Sequence, residues 1–424
     1  MKKRFWFLGG VVIIIISFIL IFYKFNQIPK NINYDEIDFA KLALSLDNKP
    51  YTVFRPLGFG HSTLYFYIIL LSFKIFGLNN FALRLPSALF GVLNPLILYF
   101  ILSKIFKQSN NVTMKPRHDA VKQWSAFAPF ILSLVFLTSR WHLNFTRFSF
   151  EATFLLFLEL VSIFFLISKS LFISGFFAGL AFNSYTPGRI FFLLPLFIIF
   201  LKTKKPFNHL TIQPLLYFLI PFIITILPLT TYLIKNPDPR ISEQFFLKNE
   251  KLSTSKKIDY LLKNIKSAVL MFNVKGDMNG RHNFPGKPAL NPILGSLFII
   301  GLIITTKQWN NVNNRLFIFY FLLSLIPTFF TNPQENPNML RAFTSIPSII
   351  YFVGITISQL KLNKLIFAFL LFLIILSSIY ELHTYFNYQS RVFRNSFEII
   401  CPVEKLVNKN KPYPKECLVS RNEF

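Results

Sequence analysis

Three carboxylates lie close together after the first apolar segment, in the sequence Asn33-Tyr34-Asp35-Glu36-Ile37-Asp38. The chain has only 18 acidic residues in 424, so this density is unusual. One interpretation is structural: Asp35 caps a helix over 36–46, and Glu36 and Asp38 interact with the helix dipole in the first turn. The other is chemical, because a carboxylate at a membrane surface can take the proton from an attacking hydroxyl. The spacing leaves both open.

Arginines beside other apolar segments are candidates for binding phosphate. Arg84 begins one such segment, Arg147 lies in the stretch 140–151, and Arg341 precedes another segment. A guanidinium binds two phosphate oxygens at once, which suits this role. The alternatives are an interfacial belt of Trp and Arg at 140–151, a helix pair between Arg147 and Glu151, and a snorkelling side chain at Arg341.

A third group of polar residues lies in the stretch 276–286, which is rich in Gly and Asn and contains a Pro. This composition predicts an irregular loop. Asp277 and His282 within it are candidates for binding substrate or a divalent metal, and an ordinary solvated turn is the alternative. Two ligands do not define a metal site, so the sequence leaves a metal open and identifies no cofactor.

The apolar pattern shows where such residues must lie. Hydrophobic residues make up 53% of the chain and charged residues 15%. Runs of about 20 apolar residues recur from Val11 to Tyr380, and such runs cross a bilayer as helices, because lipid offers the backbone no hydrogen-bond partner. The sequence therefore excludes a single soluble core and predicts an all-α polytopic membrane protein with about 11 spans. The predicted spans are 5–23, 84–103, 123–139, 150–168, 171–184, 189–201, 211–234, 291–306, 316–331, 341–358 and 365–380.

Lysine and arginine in the short loops predict the orientation of these spans. Basic stretches occur at 2–4, 104–122, 202–205, 307–315 and 361–364, and we expect all of them on the cytoplasmic side. The formal charge is +27. Its cations are scattered between apolar runs and form no basic domain, so we expect no nucleic-acid partner.

The other side of the membrane then receives the remaining polar segments, 24–60, 140–149, 185–188, 235–290, 332–340 and 381–424. Because 24–60 is outside and 104–122 inside, only one of the apolar stretches 61–77 and 84–103 can cross. We predict that 61–77 is a juxtamembrane helix on the outer interface; the alternative is that it also crosses, which raises the number of spans to twelve. An amphipathic helix is predicted at 256–272. The predicted organisation is an N-terminal catalytic module at 1–234, an outer loop at 235–290, C-terminal spans at 291–380 and an outer tail at 381–424.

The only two cysteines, Cys401 and Cys417, both lie in this predicted outer tail. Disulfides persist outside the cytoplasm, so the two thiols are candidates for a bridge within the tail. Two unrelated thiols are the alternative, and the sequence leaves both open.

Four stretches carry a family resemblance by their order along the chain. They are Tyr34-Asp35-Glu36, His61 at the start of an aromatic helix, Phe76-Gly77-Leu-Asn-Asn-Phe-Ala-Leu-Arg84-Leu-Pro86, and Pro337-Asn338-Met339-Leu340-Arg341-Ala342. Together they resemble the protein O-mannosyltransferase and aminoarabinose-transferase group of membrane glycosyltransferases, which have the type C fold (GT-C). The chain departs from the group at His61-Ser62-Thr63, where members often have His-Pro-Pro.

This resemblance implies a GT-C-like bundle that moves a sugar from a polyprenyl-phosphate donor to a lipid, glycan or protein acceptor. It implies that Asp35, with Glu36, is the catalytic candidate, and that Arg84 lies near this acidic pair. We expect Arg84, Arg147 and Arg341 to bind the donor phosphate, and His61 to contribute to substrate binding. The implied location is the plasma membrane of a prokaryote, with the active site facing outward.

Two other functions remain open at the level of sequence. A transporter or lipid flippase would place ionisable groups and broken helices in mid-membrane. Glu159 is the only acidic residue deep in a predicted span, whereas the polar clusters lie at one surface. A non-catalytic membrane scaffold would need no acidic pair beside an arginine.

Overall fold

The computed structural model describes residues 2–57, 60–112, 119–202, 209–360 and 363–419. Parts of three predicted cytoplasmic loops, 113–118, 203–208 and 361–362, lie outside the described residues. The described α-helices are α1 Lys2–Phe22, α2 Tyr34–Ser45, α3 Leu64–Phe76, α4 Asn80–Val112, α5 Asp119–Thr138, α6 Arg140–Thr146, α7 Glu151–Ile167, α8 Leu171–Phe182, α9 Leu193–Lys202, α10 His209–Lys235, α11 Pro239–Gln244, α12 Thr254–Asn273, α13 Pro292–Lys307, α14 Val312–Phe329, α15 Ile346–Gln359, α16 Lys364–His383, α17 Ser390–Ser396 and α18 Val403–Leu406.

Apolar helices form the body of the protein. Helix α4 packs against α1, α5 and α7, α8 packs against α10, and α13 packs against α15. Among the described residues, four helical segments are long and apolar enough to cross a membrane, and they are Asn80–Lys107, Ile212–Lys235, Val312–Phe329 and Lys364–Ser396. Helices α6 and α7 form a further candidate that is bent by 112°. The all-α membrane fold is confirmed, and the number of eleven spans stays a prediction.

Several short elements differ from those predicted. The stretch 61–77 begins as a strand, β2 (His61–Ser62), which pairs antiparallel with β1 (Phe54–Arg55) before α3 starts at Leu64. The predicted loop 140–149 contains α6. Helix α3 has 13 residues and falls short of a full membrane span. The juxtamembrane position of 61–77 stays a prediction.

Helix α2 also begins earlier than predicted, and a different residue caps it. The N-cap is Asn33, whose side chain accepts the backbone N–H of Glu36 at 2.8 Å. The Glu36 carboxylate accepts the backbone N–H of Asn33 at 3.3 Å, which completes a capping box. The interpretation of Asp35 as the cap is therefore wrong. Its carboxylate is left for other contacts.

The C-terminal tail folds back onto α2. Backbone bridges join Ile399 to Ile32 and to Leu418. A disulfide joins Cys401 to Cys417, which is the first of the two alternatives that the sequence left open, and the described chain has no free cysteine. The ring of Tyr413 stacks on that of Tyr34 with centroids 5.8 Å apart. The tail is thus part of the structure around the acidic helix.

Candidate functional site

One face of α2 lines a large cavity. Asp35, Asp38, Phe39 and Leu42 lie on this face, at the i, i+3, i+4 and i+7 spacing of neighbours on a helix. The cavity has a volume of about 830 Å³. The opposite face of α2 is buried in the protein and includes Ile37, Ala40 and Ala43. Helical periodicity therefore separates Asp35 from Glu36, although they are adjacent in sequence.

Glu36 points away from the cavity and is fully buried. Its carboxylate accepts two hydrogen bonds from Arg84, from Nε at 2.7 Å and from one terminal nitrogen at 2.8 Å. It also accepts the backbone N–H of Ser149 at 3.0 Å. The remaining donors of Arg84 reach the carbonyls of Pro29 and Asn31, both at 2.6 Å.

Arg84 lies beside the acidic pair, as expected, but of the two carboxylates it contacts only that of Glu36. Neither residue lines the cavity. Each guanidinium nitrogen of Arg84 donates to an acceptor inside the protein, so the structure places Arg84 away from a phosphate in the cavity. This pair joins the loop after α1 to the starts of α2 and α4.

Arg147 is also buried and is used within the protein. Its guanidinium donates to the carbonyls of Leu20, Ile21, Lys24 and Ile28, at 2.6–3.2 Å. These carbonyls belong to the C-terminal end of α1 and the turn after it, where carbonyls lack helical partners. The predicted helix pair with Glu151 is absent, because the chain turns between α6 and α7 and Glu151 contacts His61 instead. Arg147 fixes the end of α1 and does not line the cavity.

Asp35 and Asp38 each meet a cation at the cavity wall. Asp35 accepts a hydrogen bond from Arg281 at 2.8 Å, and its side chain remains 48% exposed. Asp38 accepts one from Lys411 of the tail at 2.8 Å. Asp35 therefore has both an orienting partner and an open side toward the cavity.

The loop 276–286 brings Asp277 and His282 to the same cavity. Asp277 Oδ2 is 2.9 Å from His282 Nδ1 and accepts the backbone N–H of Met339, also at 2.9 Å. Its other oxygen accepts the backbone N–H of Asn279 at 2.8 Å. The solvated turn weighed for these residues does not form, because both are more than 90% buried.

His61 contributes to the cavity through an arginine that the sequence did not single out. Its Nδ1 lies 3.1 Å from Glu151, and Arg240 lies 2.8 Å from its Nε2. Arg240 can only donate, so Nε2 accepts and the Nδ1–H donates to Glu151. Arg240 is further fixed by Asp238, which caps α11 and accepts the backbone N–H of Arg240 at 3.0 Å.

Arg240 and Arg341 lie where the cavity meets a second, smaller pocket of about 90 Å³. Arg341 donates to Thr331 at 3.1 Å and to Glu335. The smaller pocket is mainly apolar, with Ile190, Phe245, Ile326, Pro187 and Pro327 among its lining residues. Tyr185 lines both spaces, and burial raises the pKa of its hydroxyl, although Arg240 acts to lower it.

Nearly all the lining residues of the cavity come from segments predicted on the outer side or from their borders. They are Asp35, Asp38, Phe39, Leu42, Leu57, His61, Phe150, Tyr185, Arg240, Gln244, Asp277, Met278, Asn279, Arg281, His282, Gln334, Glu335, Asn336, Pro337, Asn338, Leu340, Arg341 and Lys411. The structure thus gathers Asp35, His61, Asp277, His282 and Arg341 and leaves out Glu36, Arg84 and Arg147. The described residues contain no group of three or more His, Cys, Asp or Glu side chains suited to a metal.

The sequence reasoning assigned no role to Arg240, Arg281, Lys411 or Tyr185. A local signal existed for Arg240, because Asp238-Pro239 is typical of a helix start and places the next side chain in the first turn. No local signal exists for Lys411, which reaches the cavity only because the disulfide-bonded tail returns to α2.

A membrane bundle of apolar helices with a polar cavity formed by its connecting segments is the arrangement of GT-C glycosyltransferases. Two crystal structures of ArnT from Cupriavidus metallidurans share this fold, one bound to undecaprenyl phosphate and one in the apo state. Their TM-scores are 0.53 and 0.54, with 12% sequence identity in each case. The matches cover 92% and 94% of this chain and 77% and 78% of the ArnT chain.

A sequence family described as dolichyl-phosphate-mannose-protein mannosyltransferase matches residues 60–232. No curated protein sequence matches the chain. The chain therefore shares its fold with ArnT, and residues 60–232 are similar in sequence to the mannosyltransferase family.

Proposed function

We propose that this protein transfers a hexosyl or pentosyl group from a polyprenyl-phosphate donor to a hydroxyl of a lipid, glycan or protein acceptor, on the outer face of a prokaryotic plasma membrane. The observation that carries the proposal is the position of Asp35. It is a partly exposed carboxylate in a cavity that also presents Arg240 and Arg341 beside an apolar pocket.

The donor's two ends match two adjoining environments. Its phosphate needs fixed cations, and Arg240 and Arg341 supply them at the border of the cavity. Its isoprenoid chain needs an apolar path, and the small pocket beside the two arginines provides its first part. The ArnT crystal structure with undecaprenyl phosphate is a precedent for such a ligand on this fold.

The proposed reaction is a single displacement at the anomeric carbon. The acceptor oxygen forms the new bond to that carbon while its proton passes to Asp35. The bond from the anomeric carbon to the phosphate oxygen breaks, and polyprenyl phosphate leaves with the bonding electrons. Arg240 and Arg341 stabilise the charge that develops on the phosphate. Arg281 orients the Asp35 carboxylate through their 2.8 Å contact.

The test is a donor panel with the purified protein in lipid nanodiscs. Polyprenyl-phosphate hexoses and pentoses are offered with lipid, glycan and peptide acceptors, and the release of polyprenyl phosphate is measured. Matched nucleotide sugars serve as the control class. We expect consumption of at least one polyprenyl-phosphate sugar and none of the nucleotide sugars. Consumption of a nucleotide sugar alone would contradict the proposal.

A further inference from the structure

The loop 276–286 connects the two chemical ends of the cavity. At one end, Arg281 contacts the carboxylate of Asp35. At the other, Asp277 accepts the backbone N–H of Met339, two residues before Arg341. A sugar that reacts in this cavity must have its anomeric carbon between the base and the phosphate-binding arginines. The middle of this loop therefore borders the space for the transferred sugar.

The loop is held rigidly in this position. The backbone N–H of Gly276 donates to the carbonyl of Gly286 at 3.1 Å, and that of Gly286 donates to the carbonyl of Asp277 at 2.9 Å. Asn144 of α6 donates to the carbonyls of both Arg281 and His282, at 2.8 and 3.1 Å. A Cβ added at Gly276 would meet the carbonyl oxygen of Lys287 at 2.0 Å, so only glycine fits there.

His282 is oriented by its carboxylate partner. Asp277 is acceptor-only when ionised and faces Nδ1 at 2.9 Å, so Nδ1 carries the proton of the neutral imidazole. Nε2 is then an acceptor. Nε2 makes no hydrogen bond in the described part of the chain. It is also not enclosed by protein, unlike the buried polar atoms that lack a partner. Nε2 is therefore the ring nitrogen open to the cavity.

We propose that Nε2 of His282 accepts a hydrogen bond from a hydroxyl of the transferred sugar, and so determines which sugars the enzyme uses. The proposal rests on the donor chemistry proposed above and deepens it. Asp277 is the positioning residue in this arrangement, because it fixes the tautomer and the orientation of the ring. His282 is then a specificity residue, separate from Asp35, which takes the acceptor's proton.

Two substitutions distinguish this role from a purely structural one. In His282→Asn the amide nitrogen replaces Nδ1, which keeps the contact with Asp277 and removes the Nε2 group. In His282→Gln the longer amide replaces Nε2 and loses the contact with Asp277. We expect His282→Asn to lower kcat/KM for the preferred donor by roughly tenfold, the effect of losing one neutral hydrogen bond. His282→Gln should retain more activity than His282→Asn.

Donors that lack one hydroxyl at a time identify the group that is recognised. With the wild-type protein, one deoxy sugar should lose roughly tenfold in kcat/KM. With His282→Asn, that same deoxy sugar should show no further loss, because its partner is already absent. If the loop had only a structural role, His282→Asn would lower kcat/KM by the same factor for every donor. Thermal unfolding of each variant confirms that it is folded.

The outcomes separate the inference from the proposed function. Wild-type kcat/KM in His282→Asn, or a parallel loss for every deoxy donor, would overturn the role of His282 while leaving the transferase intact. A wild-type protein that consumes no donor in the panel would overturn the proposed function and this inference with it. A loss confined to one hydroxyl supports both.

Discussion

The buried pair of Arg84 and Glu36 makes a prediction about stability. Replacing Arg84 with Met keeps much of the side-chain volume but removes two hydrogen bonds to Glu36, at 2.7 and 2.8 Å, and two to carbonyls, at 2.6 Å each. Glu36 is fully buried, so its charge would be left without a cation. Breaking a buried ion pair from one side costs about 3–5 kcal/mol.

Thermal unfolding in detergent or nanodiscs measures this effect. A loss of about 3–5 kcal/mol corresponds to a fall in Tm of about 6–20 °C, since each kcal/mol shifts Tm by about 2–4 °C in domains of about 150–250 residues. Arg84→Lys should fall between the wild type and Arg84→Met, because one ammonium cannot replace four directed bonds.

The double variant Glu36→Gln/Arg84→Met provides the control. Removing both charges eliminates the unpaired carboxylate, so the double variant should recover part of the Tm that Arg84→Met loses. If Arg84→Met kept the wild-type Tm but no longer bound donor, the structural role would be refuted. The result would support the phosphate-binding role that the family resemblance implied for Arg84.

Four further predictions concern the donor site, the tail and the topology. Arg341→Lys keeps the charge but loses the bidentate hydrogen bonding of the guanidinium, so kcat/KM for a polyprenyl-phosphate sugar should fall about tenfold or more. Cys401→Ser opens the disulfide loop and should destabilise the tail by about 3 kcal/mol, seen as earlier proteolysis of the tail peptides. Burial raises the pKa of the Glu398 carboxyl, which makes its ionised form unfavourable in the folded protein, so Glu398→Gln should raise Tm more at pH 8 than at pH 4. A cysteine placed at position 112 should react with a membrane-impermeant reagent only after permeabilisation, and labelling of intact cells would contradict the predicted orientation.

Features that depend on composition and on the spacing of residues along the chain could be predicted from the sequence. The apolar runs predict the helical membrane fold, because continuous runs of about 20 apolar residues satisfy their own backbone in lipid as helices. The two cysteines make a bridge one of two possibilities, because each has one potential partner in the chain, and the structure shows that the bridge forms. The roles of Asp35 and Glu36 depend on where α2 begins. The sequence contains the signal, since Asn33 and Glu36 have capping-box spacing, and this spacing makes Asn33 the cap instead of Asp35.

Features that depend on long-range contacts could not be predicted. Arg84 and Arg147 have the same side-chain chemistry as Arg341, and only the fold shows that buried carbonyls and Glu36 use their donors. Arg240 and Lys411 reach the cavity from segments distant in sequence. A guanidinium that binds phosphate and one that binds carbonyls look alike until their neighbours are known.

The central claim is that Asp35 takes the acceptor's proton during transfer from a bound polyprenyl-phosphate sugar. A single-turnover assay tests it most directly: radiolabelled donor is bound first, acceptor is added, and the rate of sugar transfer is followed. Asp38→Asn is the matched control, because Asp38 lies one turn along the same face and also pairs with a cation. We predict that Asp35→Asn binds as much donor as the wild type but transfers its sugar about 10²–10⁴-fold more slowly, while Asp38→Asn stays within about tenfold. Transfer by Asp35→Asn at the wild-type rate would contradict the account.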